Sequence, residues 1–177
     1  MKTLTLLRHA KSTWDDPVAR DFDRPLNPRG RRAARTVGAE MRSLGLGFDR
    51  VLASPARRVM ETLGEVEGAF GRLGADYDER LYLASPTTLL DLVHATPDEV
   101  ARLLLVGHNP GLEELALLLA GDGALRSEVA VKYPTATLAE IAFDIPWSEI
   151  APGTGRLARF IRPRDLDPEL GPDEDTH

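Results

Sequence analysis

The chain has 177 residues, 42% hydrophobic and 28% charged, with a net charge of −6, which is enough length for one domain with a sizeable core. Residues 165–177 hold six acidic residues and no Lys or Arg, so residues 1–164 carry 22 basic and 22 acidic residues, and a neutral body does not look like a nucleic-acid binder, which would show a basic face. There is no cysteine, which excludes disulfides, thiolate catalysis and Cys-based zinc sites.

In chain order, Lys2 to Leu7 reads as a short buried strand. Its apolar run stops at Arg8, short of a signal peptide. No stretch approaches the ~18 apolar residues that span a bilayer, so no membrane partner is expected and the cytosol is the expected location. Arg20 to Pro28 is a polar loop. Asn27-Pro28 then caps a helix with proline in its first turn. Ala33, Ala34, Val37, Met41 and Leu44 keep helical spacing, and Gly45 and Gly47 end that helix. Arg50 to Ala53 is a second strand. Ser54-Pro55 starts another helix, with Val59, Leu63, Val66 and Phe70 on its buried stripe. Arg80 to Leu83 is expected as a strand and Pro86 to His94 as a helix. Residues 101–106 form a buried parallel strand, and Gly107-His108-Asn109-Pro110-Gly111 turns into a helix carrying Leu112, Leu115, Leu118 and Leu119. Two strands follow near 137–143 and 156–161, with no helix between them. This alternation predicts a three-layer α/β/α domain over residues 1–164, its sheet mostly parallel with one antiparallel strand. Residues 165–177, acidic and rich in Pro and Gly, are expected to be a disordered tail, with docking a lesser possibility.

Three segments share one layout: a buried strand ends and polar side chains stand in the next turn. The first supplies Arg8 and His9, the second Ser54, Arg57 and Arg58, the third His108 and Asn109. In open α/β sheets ligands bind beyond the carboxyl ends of the strands, so parallel strands would bring all three groups to one crevice. Arginines and histidines beside helix N-termini suit a tetrahedral oxyanion. With no cysteine and no carboxylate in these turns, histidine is the candidate nucleophile. Ser54 is available but has no evident neighbouring base. His177 lies in the acidic tail and His94 late in a helix, where a structural role is expected, which leaves His9 and His108. No His-x-His or His-Glu-x-x-His spacing supports a metal site, and no cofactor is expected.

Arg8-His9-Ala10-Lys11-Ser12 resembles the Arg-His-Gly-x-Thr/Ser signature of the histidine phosphatase superfamily, which also holds the phosphoglycerate mutases. Ser54-Pro55-Ala56-Arg57-Arg58-Val59-Met60-Glu61-Thr62 resembles its second motif, Ser-Pro-x-x-Arg-x-x-x-Thr, and Gly107-His108-Asn109-Pro110 its third. The resemblance covers roughly residues 3–120. It implies a phosphoglycerate mutase-like fold, His9 as the phosphorylated nucleophile, and Arg8, Arg58 and His108 as holders of the phosphoryl group, selecting Arg58 over Arg57. It places Ser12 near the pocket. The short chain and Asp21-Phe22-Asp23-Arg24-Pro25-Leu26 resemble the SixA-type branch, which places Asp21 and Arg24 near the site, with Asn109 as a further binding candidate. Larger relatives use a carboxyl acid. Glu79 lies in roughly the right region, with a plain surface role as an equal reading and Asp21 and Asp23 as rivals.

Two departures stand out. Ala10 replaces the usual glycine. Asp15 stands where mutases place an asparagine that touches phosphate. The insertions that cap mutases and large phytases are absent, which points to an open site for a bulky or protein substrate. Arg29, Arg31, Arg32 and Arg35 crowd one helix as a solvated face that could also attract an acidic protein. Trp14 is open between a lid and plain packing. The expected activity is therefore a metal-independent phosphatase acting through phospho-His9 on a phosphohistidine protein. The alternatives are a phosphomonoesterase for a small phosphorylated metabolite and an inactive phosphoprotein-binding module.

Overall fold

The computed structural model of the chain describes residues 1–14 and 20–171. The first strand, β1 (Lys2–Arg8), is buried along most of its length, and its side chains alternate between two cores as a pleated strand requires. Leu4 and Leu6 enter one core and Leu7 the other. The same division holds in β4 (Arg102–Gly107), where Leu103 and Leu105 face the first core and Leu104 and Val106 the second. With β2 (Arg50–Ala53), β3 (Asp76–Tyr77), β5 (Leu138–Phe143) and β6 (Arg156–Ile161) they form one sheet in the order β3-β2-β4-β1-β5-β6. The pairings β3–β2, β2–β4 and β4–β1 are parallel, and β5 runs antiparallel to both β1 and β6. The fold is therefore three-layered α/β/α with one antiparallel strand, as the element alternation predicts.

Helices α1 (Pro28–Ser43) and α2 (Arg57–Phe70) bury Val37, Met41, Val59 and Leu63 in one core. Helices α3 (Pro86–His94), α4 (Gly111–Leu119) and α5 (Ala124–Val131) cover the other face with Leu89, Leu92, Leu112, Leu115 and Val129. Asn27 caps α1 by accepting the Gly30 N–H at 2.7 Å, and Ser85 caps α3 by accepting from Thr88, each followed by proline in the first turn. None of the described helices is long and apolar enough to cross a membrane.

Three local expectations differ. The stretch from Arg80 to Leu83 is not a strand: Glu79–Leu81 form a 3-10 turn, started by the Asp78 carboxylate accepting the Arg80 N–H at 2.9 Å. The sheet edge is instead the two-residue β3. Helix α2 begins at Arg57, after an extended Ala56. The C-terminal stretch joins the fold beyond residue 164, since α6 (Pro163–Leu166) and a 3-10 turn over Pro168–Leu170 place Leu170 in the α1–α2 core. Arg32 of α1 pairs with Asp167 and Glu169, so two of the six acidic residues of the expected tail are held against the body. Asp173, Glu174, Asp175 and His177 lie outside the described residues.

Candidate active site

Parallel pairing of β1 with β4 sets Arg8 opposite Gly107, so the two strands end level and His9 and His108 leave them side by side. Their ring centroids are 5.3 Å apart. The His9 N–H donates to the Gly107 carbonyl and the Ser54 N–H to the Val106 carbonyl, each at 3.0 Å. Those bonds extend the sheet pairing into the turns and bring β2 to the same edge. The three turns therefore meet, as a parallel sheet requires.

His9 is buried, with 1% of its surface exposed. Its Nδ1 lies 2.7 Å from the Ala10 carbonyl oxygen. A carbonyl only accepts, so Nδ1 carries the proton and Nε2 keeps its lone pair. Arg58 Nε donates to that Nε2 at 3.4 Å. Burial first, then the charges of His108 and Arg8, push His9 well below its ordinary range, against the opposing effect of the Ala10 carbonyl. The ring is neutral at pH 7, with its unprotonated nitrogen facing a guanidinium.

Arg58 is buried and also donates to the Asp21 carbonyl at 2.7 Å, to Asp21 Oδ2 at 3.1 Å and to His108 Nδ1 at 3.3 Å. Since arginine only donates, His108 Nδ1 is the acceptor and Nε2–H donates to Ser54 Oγ at 2.7 Å. Burial and the neighbouring Arg58 hold His108 down at about 3. Ser54 therefore does have an imidazole beside it, contrary to expectation. It is fully buried and accepts hydrogen bonds from His108 and from the Ala56 N–H, so it orients His108 and has no open approach of its own.

The loop before α1 closes the site from the other side. Asp21 Oδ1 accepts from Arg24 Nε and Nη2 at 3.2 and 3.1 Å, and Oδ2 accepts from Arg58 and from the Tyr82 hydroxyl at 2.5 Å. Burial would raise this carboxyl, but the bonds from Tyr82, Arg58 and Arg24 outweigh it and hold it at about 2. Arg24 also donates to Ser12 Oγ at 2.5 Å and lies 3.3 Å over the Trp14 ring. Arg8 donates to the Tyr133 carbonyl at 3.0 Å, and Asn109 Nδ2 donates to the same oxygen at 3.1 Å.

Above these groups opens a cleft of about 250 Å³ lined by Trp14, Asp21, Arg24, Arg58, Leu83, His108 and Asn109. Arg24, Arg58, Asp21 and His108 line it, and Arg8 and His9 stand at the same strand ends; three arginines against one ionised carboxylate leave the site positive, an arrangement that can hold a phosphoryl dianion and offer it a nitrogen nucleophile. Among the described residues no group of three or more His, Asp or Glu side chains is placed to hold a metal ion.

The geometry thus brings together Arg8, His9, Ser12, Asp21, Arg24, Arg58, His108 and Asn109. It leaves Glu79 on an exposed 3-10 turn outside the cleft lining. Asp23 is paired with Arg20, Arg57 with Glu61, and His94 bonds the Ile150 carbonyl away from the site. Of the α1 arginines, Arg31 and Arg35 pair with Glu65, and Arg31 also with Glu61, so most of that face is neutralised. Asp15 lies outside the described residues. Three contributors escape sequence reasoning. Tyr82 orients Asp21 and packs edge-on to His108, the ring centroids 5.4 Å apart. The Tyr133 backbone carbonyl anchors Arg8 and Asn109. Thr62 accepts the Ala10 N–H at 2.9 Å and donates to the Arg58 carbonyl at 2.6 Å. Only Thr62 carries a signal, as the last position of the second motif.

A family model described as the histidine phosphatase superfamily (branch 1) matches residues 4–82. An uncharacterised protein of Mycobacterium tuberculosis is 37% identical over 166 residues, which cover 89% of this chain and all of the relative. A candidate phosphohistidine phosphatase SixA of Agrobacterium tumefaciens is 31% identical with a TM-score of 0.77, covering 91% of this chain and 97% of that one. The counterpart from Nakamurella multipartita is 29% identical with a TM-score of 0.79, covering 92% and 96%. A mycobacterial glucosyl-3-phosphoglycerate phosphatase, 16% identical with a TM-score of 0.64 over 89% and 97%, shares the fold alone.

Proposed function

This chain belongs to the histidine phosphatase superfamily and is a phosphatase, and on that premise we propose that it hydrolyses phosphohistidine on a protein through a covalent intermediate on His9. The observation that carries the proposal is the His9 ring itself, pinned through Nδ1–H to Ala10 with Nε2 unprotonated beside Arg58. In the first step the Nε2 lone pair attacks phosphorus, and the P–N bond to the substrate imidazole breaks with its electron pair passing to that ring. In the second, water attacks phospho-His9, releasing phosphate and restoring Nε2. Arg8 and Arg58 hold the phosphoryl oxygens and offset the charge that develops on them, and His108 joins them when the arriving dianion draws a proton onto its Nδ1 in place of the Arg58 bond. Asp21, Arg24 and Ser12 keep Arg58 and the loop in place.

The choice of leaving group follows from the proton inventory. An alkoxide needs an acid to leave, whereas an imidazole leaves more readily. Asp21, the carboxylate on the cleft, is held at about 2 and is ionised at neutral pH. The likeness to SixA proteins over nearly the whole chain supports the same class. Nothing in these two steps requires a metal.

His9→Ala removes the nucleophile. It is expected to abolish turnover and the acid-labile, alkali-stable label left by a phosphohistidine protein, while EDTA leaves the wild type active. Near wild-type turnover in His9→Ala would refute the proposal. Faster turnover of sugar phosphates than of phosphohistidine protein would move the assignment to a metabolite phosphatase.

A further inference from the structure

Trp14 and Leu83, at 57% and 56% exposure, are among the few large hydrophobic side chains left in solvent, and both stand at the mouth of the phosphoryl cleft. Each is held there. Trp14 lies against the Arg24 guanidinium, itself buried and bonded to Ser12 and Asp21. Leu83 has φ +50°, a region that side chains with a Cβ seldom adopt. Its neighbour Tyr82 is anchored on Asp21 and Leu81 is buried. Among the described residues only Leu83 and Ala136 combine a side chain with positive φ, and both border this site. The Ala136 N–H donates to the His9 carbonyl. Among the described residues Leu83 has no such backbone bond, and its side chain lines the cleft. Backbone of this kind clusters at ligand clamps.

The polar groups on the same wall are already committed. Both Asp21 carboxylate oxygens accept two hydrogen bonds each. The Asn109 amide donates to Tyr133 and accepts from the Glu113 N–H. A polyhydroxylated leaving group would find few partners here, whereas a flat ring could lie against Trp14 and Leu83. Deepening the reading above and resting on it, we infer that Trp14 and Leu83 form the leaving-group subsite, and that they select the imidazole ring of phosphohistidine over leaving groups without an apolar face.

The test compares two substrates that differ only in what leaves. Phosphoramidate releases ammonia, too small to reach the mouth, and 3-phosphohistidine releases a ring. In Trp14→Ala and Leu83→Asn the ratio of kcat/KM for 3-phosphohistidine to that for phosphoramidate is expected to fall about five- to tenfold, the worth of one ring contact. Trp14→Phe restores most of it. Asparagine accepts positive φ, so Leu83→Asn removes the apolar contact and keeps the backbone. An unchanged ratio, with both activities falling together, would mean that the two residues only brace Arg24 and the loop, and would overturn the inference alone. A wild-type protein that turns over neither substrate would overturn the function proposed above and the inference with it.

Discussion

At the scale of single residues the chemistry depends on two imidazoles kept neutral by burial. An ordinary histidine titrates near 6.5, whereas His108 is held at about 3 and His9 well below its usual value, in both cases through burial first. In the unfolded chain both regain the ordinary value. Below pH 6.5 the unfolded state therefore binds more protons than the folded one, and stability falls as pH falls through that window. Each histidine contributes about 1.4 kcal/mol per pH unit once well below 6.5. Urea denaturation should find the protein less stable at pH 5 than at pH 7, by about 2 kcal/mol from His108 and by a further loss of the same sign from His9, with Asp21 nearly silent because its carboxyl is ionised in both states across that range. The tautomer is a second expectation. Nitrogen NMR at pH 7 should find His9 protonated on Nδ1 alone, with its titration displaced below the ordinary histidine range, and a shift to Nε2–H would remove the proposed nucleophile.

Among the elements, two close backbone approaches place the site. Gly30 in the first turn of α1 sits so near the chain after His9 that a Cβ would lie 2.1 Å from the Lys11 carbonyl oxygen. Gly111 at the start of α4 stands in the same relation to Ala84, next to Leu83. Gly30→Ala should therefore push α1 away from the Lys11 segment, costing about 1–3 kcal/mol of stability and lowering the rate of phosphoenzyme formation. Thr62 acts from α2 on the opposite flank. Thr62→Val leaves the buried Ala10 N–H without its acceptor at a cost of about 1–3 kcal/mol. Calorimetry together with single-turnover labelling of His9 checks both variants, and wild-type values in both assays would mean that neither contact positions the nucleophile. Helix α2 thus supplies Arg58 from its first turn and the brace for His9 from its second.

For the whole molecule, the functional end of the sheet lies at the carboxyl ends of β1, β2 and β4, and the antiparallel β5, followed by β6, extends the other flank. The C-terminal turns clasp the α1 side of the fold, with Leu170 buried in the α1–α2 core. Leu170→Ala should lower stability by about 2 kcal/mol, measured as a shift in the urea midpoint, with no effect on the 3-phosphohistidine to phosphoramidate ratio. An unaltered midpoint would mean that this segment is not part of the cooperative unit.

The sequence by itself determined the architecture and supplied the candidates for the main site residues. Apolar runs, the Asn27 and Ser85 caps and the strand-turn-helix punctuation are local signals. Arg8, His9 and His108 each stand at a strand end and Arg57 and Arg58 in the helical turn that follows one, where local pattern finds the candidates, and the motif resemblance picks Arg58 over Arg57. Tertiary structure decided everything that depends on groups far apart in the chain. It chose which His9 nitrogen faces Arg58, paired Ser54 with His108, held the Asp21 carboxyl below its ordinary range through Tyr82 and the arginines, and left Glu79 out of the cleft. It also folded residues 165–171 against α1 and turned Leu83 to the cleft mouth. The physical reason is that these contacts follow from the parallel register of β1 and β4 and from burial. A hydrogen bond across 61 residues, such as Tyr82 to Asp21, leaves no periodicity in the chain, whereas an apolar strand ending in Arg8 and His9 does.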